Sequence, residues 1–213
     1  MTAVLALRRR ESITLLSDAA SFFNPLVGNA VAPEPVIAEI GSKIRPIGPL
    51  AVIICRGKRL IGDWMETLGR EVAEGRLHLF IQRFRQLCDA LQAEGEKYFS
   101  PEVLANPQWR EAEIVVAGWH QGFNVPGAWL GTMANRRMEL MSGIQMVGLP
   151  PNVPSAAYVP QDLKWQEESN GVELFLRMRA GGGSIGGFIE KTVIDREGVT
   201  RNIIHRWPED KPE

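Results

Sequence analysis

The chain has 213 residues, 45% of them apolar, and a net charge of −1. That is enough to bury one ordinary globular core, and too small a charge excess to mark nucleic acid or an anionic membrane as the main partner. Its two cysteines, Cys55 and Cys88, lie in apolar runs without disulfide or zinc spacing, no apolar run is long enough to span a membrane, and the first residues lack a signal-peptide layout, so a reducing, cytoplasmic setting is expected.

Residues 2–8 and 12–17 read as two strands joined by the charged turn Arg9-Arg10-Glu11. Residues 19–42 read as a long loop, interrupted by Asn24-Pro25, Gly28-Asn29, Pro33 and Pro35, with room for one short element at Val36 to Ile40. Lys43 to Ile47 and Leu50 to Cys55 form a second strand pair, turned by Gly48-Pro49.

Helical spacing follows. Leu60, Ile61, Trp64, Met65, Leu68 and Val72 recur at three and four residues, and Gly75 ends that helix. A second helix is predicted from about Leu77 to Phe99, with Phe80, Phe84, Leu87, Cys88 and Leu91 on one face. Residues 100–111 are a connector. Ile114 to Trp119 is a buried-type strand, and Ala128 to Thr132, Met138 to Met141 and Gln145 to Val147 are shorter ones. The proline-rich residues 148–160 exclude a regular helix. A third helix covers about Gln161 to Arg179, and two strands, Phe188 to Asp195 and Val199 to Arg206, close the chain around Arg196-Glu197-Gly198.

Strands that arrive in hairpins make mostly antiparallel sheets. The element order predicts an α+β fold, a four-layer αββα sandwich of two sheets flanked by helices. Residues 1–207 form one domain, and 208–213 a loose tail.

The residue that carries most chemistry is Thr2. Removal of Met1, which a small second residue permits, would leave a threonine with a free amine at the head of a strand. A threonine hydroxyl needs a base to become a nucleophile. The α-amino group, with a pKa of about 7.7–8.0, is poised for that work near neutral pH. An ammonium beside it lowers that pKa by like-charge repulsion, and a carboxylate holds the ammonium in place. Asp18 and Lys43 are the groups available, and Gly57, between a strand and a helix, can present a backbone N–H to an oxyanion.

These residues resemble the start of a proteasome β subunit and of the bacterial ring peptidases, in the N-terminal nucleophile hydrolase superfamily. Thr2 opens strand one, Asp18 stands in Ser17-Asp18-Ala19-Ala20-Ser21, Lys43-Ile44 leads to Ile47, and Gly57 precedes the first long helix. Val115 to Trp119 resembles the family's strand after its helices, and Gly186-Gly187-Phe188-Ile189 its glycine pair before the last strands. The loop between Asp18 and Lys43 is longer than the family's. The Gly-Ser-Gly-Ser-like segment that supports the amine has no equivalent around Val147 to Ser155, and the aspartate before the family's Ser-Gly-Gly is missing near Ser184.

The resemblance implies Thr2 as nucleophile and base, Lys43 and Asp18 as charge partners, and Gly57 as oxyanion donor. It implies that Gly41, Arg45, Cys55, Arg59 and Asp63 line the substrate pocket, that the substrate is a peptide or protein, and that the chain assembles into a homo-oligomeric ring. No cofactor and no catalytic metal are expected. Two alternatives remain open: a non-catalytic scaffold or assembly subunit of the same fold, and a serine hydrolase using Ser184 in Gly182-Gly183-Ser184-Ile185-Gly186, with Asp195 and His205 following.

Overall fold

A computed structural model of the chain describes residues 3–23, 26–27, 30–31, 36–56, 59–141, 144–147, 168–181 and 185–211. Fourteen strands and six helices are described. The first strands are β1 (Val4–Arg8), β2 (Ile13–Asp18), β3 (Ala20–Phe23), β4 (Leu26–Val27), β5 (Ala30–Val31), β6 (Val36–Ile40), β7 (Ile44–Gly48) and β8 (Ala51–Arg56). Helices α1 (Arg59–Val72), α2 (Leu77–Gln82), α3 (Phe84–Glu96), α4 (Pro101–Leu104) and α5 (Pro107–Arg110) follow. Then come β9 (Glu113–His120), β10 (Val125–Thr132), β11 (Met138–Leu140), β12 (Ile144–Val147), α6 (Glu168–Ala180), β13 (Phe188–Ile194) and β14 (Val199–Arg206).

The protein is an α+β fold built on antiparallel sheets. One five-stranded sheet has the order β12-β1-β2-β13-β14, the other β11-β10-β9-β8-β7. The period of two in each strand decides what lies on either side. Val4, Ala6, Ile13 and Leu15 from the first sheet meet Val52, Ile54, Val115 and Ala117 from the second in one buried cluster between the sheets. The alternate residues of the second sheet, Ala51, Ile53, Ile114 and Val116, pack with Ile61 and Met65 of α1 and with Phe84, Leu87 and Leu91 of α3. Those of the first sheet, Leu5, Leu7, Leu16 and Ile189, pack with Leu174, Phe175 and Met178 of α6. Helix α6 lies close on its sheet because Gly171 faces it: a Cβ there would come within 2.3 Å of the Leu16 side chain.

Three expectations need correction. Residues 19–42 are not one loop: β3 and β6 pair antiparallel, Ala20 opposite Ile40, and β4 pairs β5. Pro25, Gly28, Pro33 and Pro35, which suggest the loop, lie outside the described residues. The helix predicted over Leu77 to Phe99 is two helices, α2 and α3, with a break at Arg83 (φ −96°, ψ 10°). Neither Pro nor Gly marks the break. The Arg83 guanidinium instead reaches back to the carbonyl of Val72, at the end of α1. The connector over 100–111 contains the single turns α4 and α5, the first started by Pro101 at its opening position.

Helix α1 ends at Val72, and the turn after it closes on Gly75, whose φ of +65° suits glycine and whose Cα hydrogens face the Ile47 carbonyl, so a Cβ would lie 2.7 Å from that oxygen. The chain after β14 is anchored as far as Asp210, whose carboxylate accepts hydrogen bonds from Arg179 at 2.6 Å and from the Gly187 amide at 2.5 Å. The expected looseness of 208–213 therefore does not apply at Asp210. Residues 148–160 and 161–167 of the sequence reading lie outside the described residues.

Candidate active site

One end of the two-sheet stack gathers the start of β1, the end of β2, the start of β7 and the end of β8. Strand pairing sets Val4 opposite Ser17, so Ala3 comes level with Asp18, the last residue of β2. The Ala3 N–H donates to Asp18 Oδ1 at 2.9 Å, and Lys43 Nζ donates to Asp18 Oδ2 at 2.9 Å. One carboxylate thus joins the head of the first strand to the head of the seventh. Asp18 has no exposed surface and Lys43 only 8%. Charges taken out of water this far persist only when paired and hydrogen-bonded. Burial lifts the Asp18 carboxyl above the ordinary carboxylate range, and the Lys43 ammonium and the Ala3 amide work against that lift.

The backbone around the pair is tied as well. The Ala19 and Ala20 amides both donate to the Gly186 carbonyl, at 3.2 and 3.0 Å, and Gly41 N–H donates to the Ala19 carbonyl at 3.0 Å. The glycine pair Gly186-Gly187 therefore braces the chain just after Asp18. On the other side of Lys43, Arg45 Nη1 donates to the Lys43 carbonyl at 3.2 Å, while its Nε and Nη2 donate to Asp63 Oδ1 at 2.9 and 2.5 Å. Glu66 lies 3.6 Å from Arg45 Nε.

Arg45, Cys55 and Asp63 are brought together where β7, β8 and α1 meet. A Cβ on Gly62 would lie 3.2 Å from the Cys55 Cβ and 3.3 Å from Arg45 Nη1. Arg45 is committed to the two helix carboxylates, and burial pushes the half-buried Cys55 thiol up to about 12, which makes it a poor nucleophile. Cys55 and Cys88 are both free thiols. Gly41 stands apart from this group, at the neck of the β3–β6 excursion. Arg59 opens α1, and only its backbone is described. Thr2, Gly57 and Ser184 lie outside the described residues.

Two residues escape the sequence reading. Ser42 Oγ donates to Glu190 Oε2 at 2.5 Å and accepts from the Ile44 amide at 3.2 Å, bracketing Lys43. Glu190 is only 5% exposed. The signal available for it was its phase: Glu190, Thr192 and Ile194 share one face of β13, so a carboxylate was due on the side that faces the other sheet.

Asp195 and His205, the partners of a triad with Ser184, sit at opposite ends of the final hairpin. Ile194 pairs Val199 at the turn, whereas His205 pairs Ile189 at the far end. Asp195 instead accepts the Glu197 and Gly198 amides inside the turn, at 2.8 and 3.1 Å. Among the described residues no group of three or more His, Cys, Asp and Glu side chains could hold a metal ion. No described helix is long and apolar enough to cross a membrane. A cavity of about 170 Å³, lined by Leu50, Gly75, Trp119 and Gln121 among others, lies at the β7–β8 turn, the far end of that hairpin from Lys43. No family model matches the chain, and no curated protein does.

Proposed function

We propose that this protein is a threonine-type N-terminal nucleophile hydrolase that cleaves amide bonds in peptides or proteins, with the αββα architecture of that superfamily. One observation carries the reading: a buried carboxylate, Asp18, holds the Lys43 ammonium with one oxygen and the Ala3 amide with the other. Ala3 is joined to Thr2 by a single peptide bond, which sets their Cα atoms about 3.8 Å apart.

Removal of Met1 frees the Thr2 amine. The amine accepts the proton of its own hydroxyl as Oγ attacks the substrate carbonyl. The Lys43 ammonium, held charged by Asp18, keeps the amine unprotonated near neutral pH. The Gly57 amide stabilises the oxyanion. The leaving amine takes the proton as the acyl ester forms, and water then releases the acid by the same route in reverse. Gly41, Arg45, Cys55, Arg59 and Asp63 border the substrate, and the working form is a homo-oligomeric ring.

The test combines intact-mass measurement with a peptide epoxyketone, which needs both the hydroxyl and the free amine of one residue. Loss of Met1 and one adduct on Thr2, abolished in Thr2→Ala, is the expected result. Retained Met1 with no adduct refutes the reading and leaves the scaffold role. Labelling of Ser184 by a fluorophosphonate would transfer the activity to that residue.

A further inference from the structure

A second carboxylate acts on the same site from the core side. Glu190 lies on β13 directly opposite Ser17, on the face of the first sheet turned toward the second. It is 5% exposed, and its neighbours on that face, Ser17 and Thr192, are buried hydroxyls without a hydrogen-bond partner among the described residues. Among the described residues its carboxylate makes two polar contacts. Oε2 accepts from the Ser42 hydroxyl at 2.5 Å, and Oε1 lies 3.9 Å from Arg201 Nε, a longer and more exposed pairing. The Ser42 contact spans 148 residues of sequence and crosses from the last hairpin to the residue next to Lys43.

Ser42 Oγ also touches both ends of the next link. It accepts from the Ile44 N–H and sits 3.2 Å from the Ile44 carbonyl oxygen. Residues 42 and 44, which flank Lys43, are thus locked to each other and to Glu190. Lysine carries its ammonium on a long flexible stem, so aiming that ammonium depends on where its Cα is fixed. A buried carboxylate is costly unless it is paired and hydrogen-bonded, and the Ser42 hydroxyl is the short contact that Glu190 makes.

We infer that Glu190 is a positioning residue: through Ser42 it fixes the backbone on both sides of Lys43 and so aims the Lys43 ammonium at Asp18 and toward the Thr2 amine. The part concerning Thr2 rests on the function proposed above. The hold on Lys43 does not.

The experiment uses the full chain as wild type, Glu190→Ala, Glu190→Gln, Ser42→Ala and the double variant Glu190→Ala/Ser42→Ala. The first readout is the rate of Lys43 acetylation by acetic anhydride, followed by peptide mass, which needs no catalysis. Glu190→Ala and Ser42→Ala should each raise it about fivefold, and the double variant no further, because both break one link. Glu190→Gln, whose amide oxygen still accepts from Ser42, should stay within about twofold of wild type.

The second readout is epoxyketone labelling of Thr2, resolved into maximal rate and half-saturating concentration. The two alanine variants should lower the maximal rate about tenfold and leave the half-saturating concentration unchanged, with Glu190→Gln again close to wild type. Unchanged acetylation in folded Glu190→Ala, or effects that multiply in the double variant, overturns the inference. If Glu190→Ala does not fold, Ser42→Ala decides: wild-type acetylation there overturns it equally. A wild-type protein that takes no probe sinks the threonine mechanism, while acetylation still reads whether Glu190 holds Lys43.

Discussion

Replacing Asp18 by asparagine tests the charge pair with little change of shape. Asparagine keeps an acceptor for the Ala3 amide and fills nearly the same volume, so the change strands the Lys43 ammonium in a site where its side chain retains only 10% exposure. At 2.9 Å the pair attracts by roughly 6 kcal/mol at an effective dielectric of about 20, before desolvation is subtracted. Removing one partner of a buried pair costs about 3–5 kcal/mol, and the sliver of water access at Lys43 puts this site near about 3. For a chain of this length each kcal/mol shifts the melting temperature by about 2–4 °C, so Asp18→Asn should melt roughly 6–12 °C below wild type. Differential scanning calorimetry at pH 7 reads this directly. Asp18→Asn/Lys43→Met, which removes both charges, should recover at least half of the loss. A single variant that melts within about 1 °C of wild type refutes the claim that this pair is structurally coupled. So does a double variant that melts lower than the single one.

Four further outcomes follow from the geometry. Burial works to raise the Asp210 carboxyl, but the Arg179 guanidinium and the Gly187 amide outweigh it and hold the group below the usual carboxylate range. A depressed acid contributes stability that is present above its unfolded pKa and lost as pH falls through its folded one, so the wild-type melting temperature should drop on acidification below about pH 4 more steeply than that of Asp210→Asn. Burial, with some help from the nearby His78, lowers His120 below 6.5, so a proton NMR titration should give a midpoint under that value, and a higher one contradicts the packing against Phe123 and Trp129. Both thiols, pushed up to about 12 by burial, should resist iodoacetamide at pH 7.5 in the native protein and react once guanidinium unfolds it. Gly75→Ala forces a Cβ into a left-handed residue 2.7 Å from the Ile47 carbonyl, and should cost more than about 1 kcal/mol by chemical denaturation.

What was legible in the sequence was what period and local chemistry determine. The short unbroken apolar runs Val4 to Leu7 and Ala51 to Ile54 marked buried strands, and the three-and-four spacing of Ile61, Met65, Leu68 and Val72 marked α1. Asp18 and Lys43 were legible as a pair, although 25 residues separate them, through the order and spacing they share with the family the chain resembles rather than through any local pattern. The break at Arg83 was not legible, since it depends on a guanidinium meeting the end of another helix. The strands inside 19–42 are too short to show a period. Glu190 was overlooked for a different reason. Its alternation was visible, but its partner Ser42 is a tertiary neighbour that no local pattern names.

The stretch from Asp18 to Lys43 departs and returns through a single neck, with Ala20 opposite Ile40 and Gly41 bonded to Ala19. That closure separates two demands on one piece of chain. The spacing of acid and ammonium is settled below the neck, whereas residues beyond it answer to no such constraint. Doubling the length of a flexible loop costs only about 0.6 kcal/mol in closure entropy. Chain added between β3 and β6 is therefore inexpensive, and its length can change without retuning the charged centre.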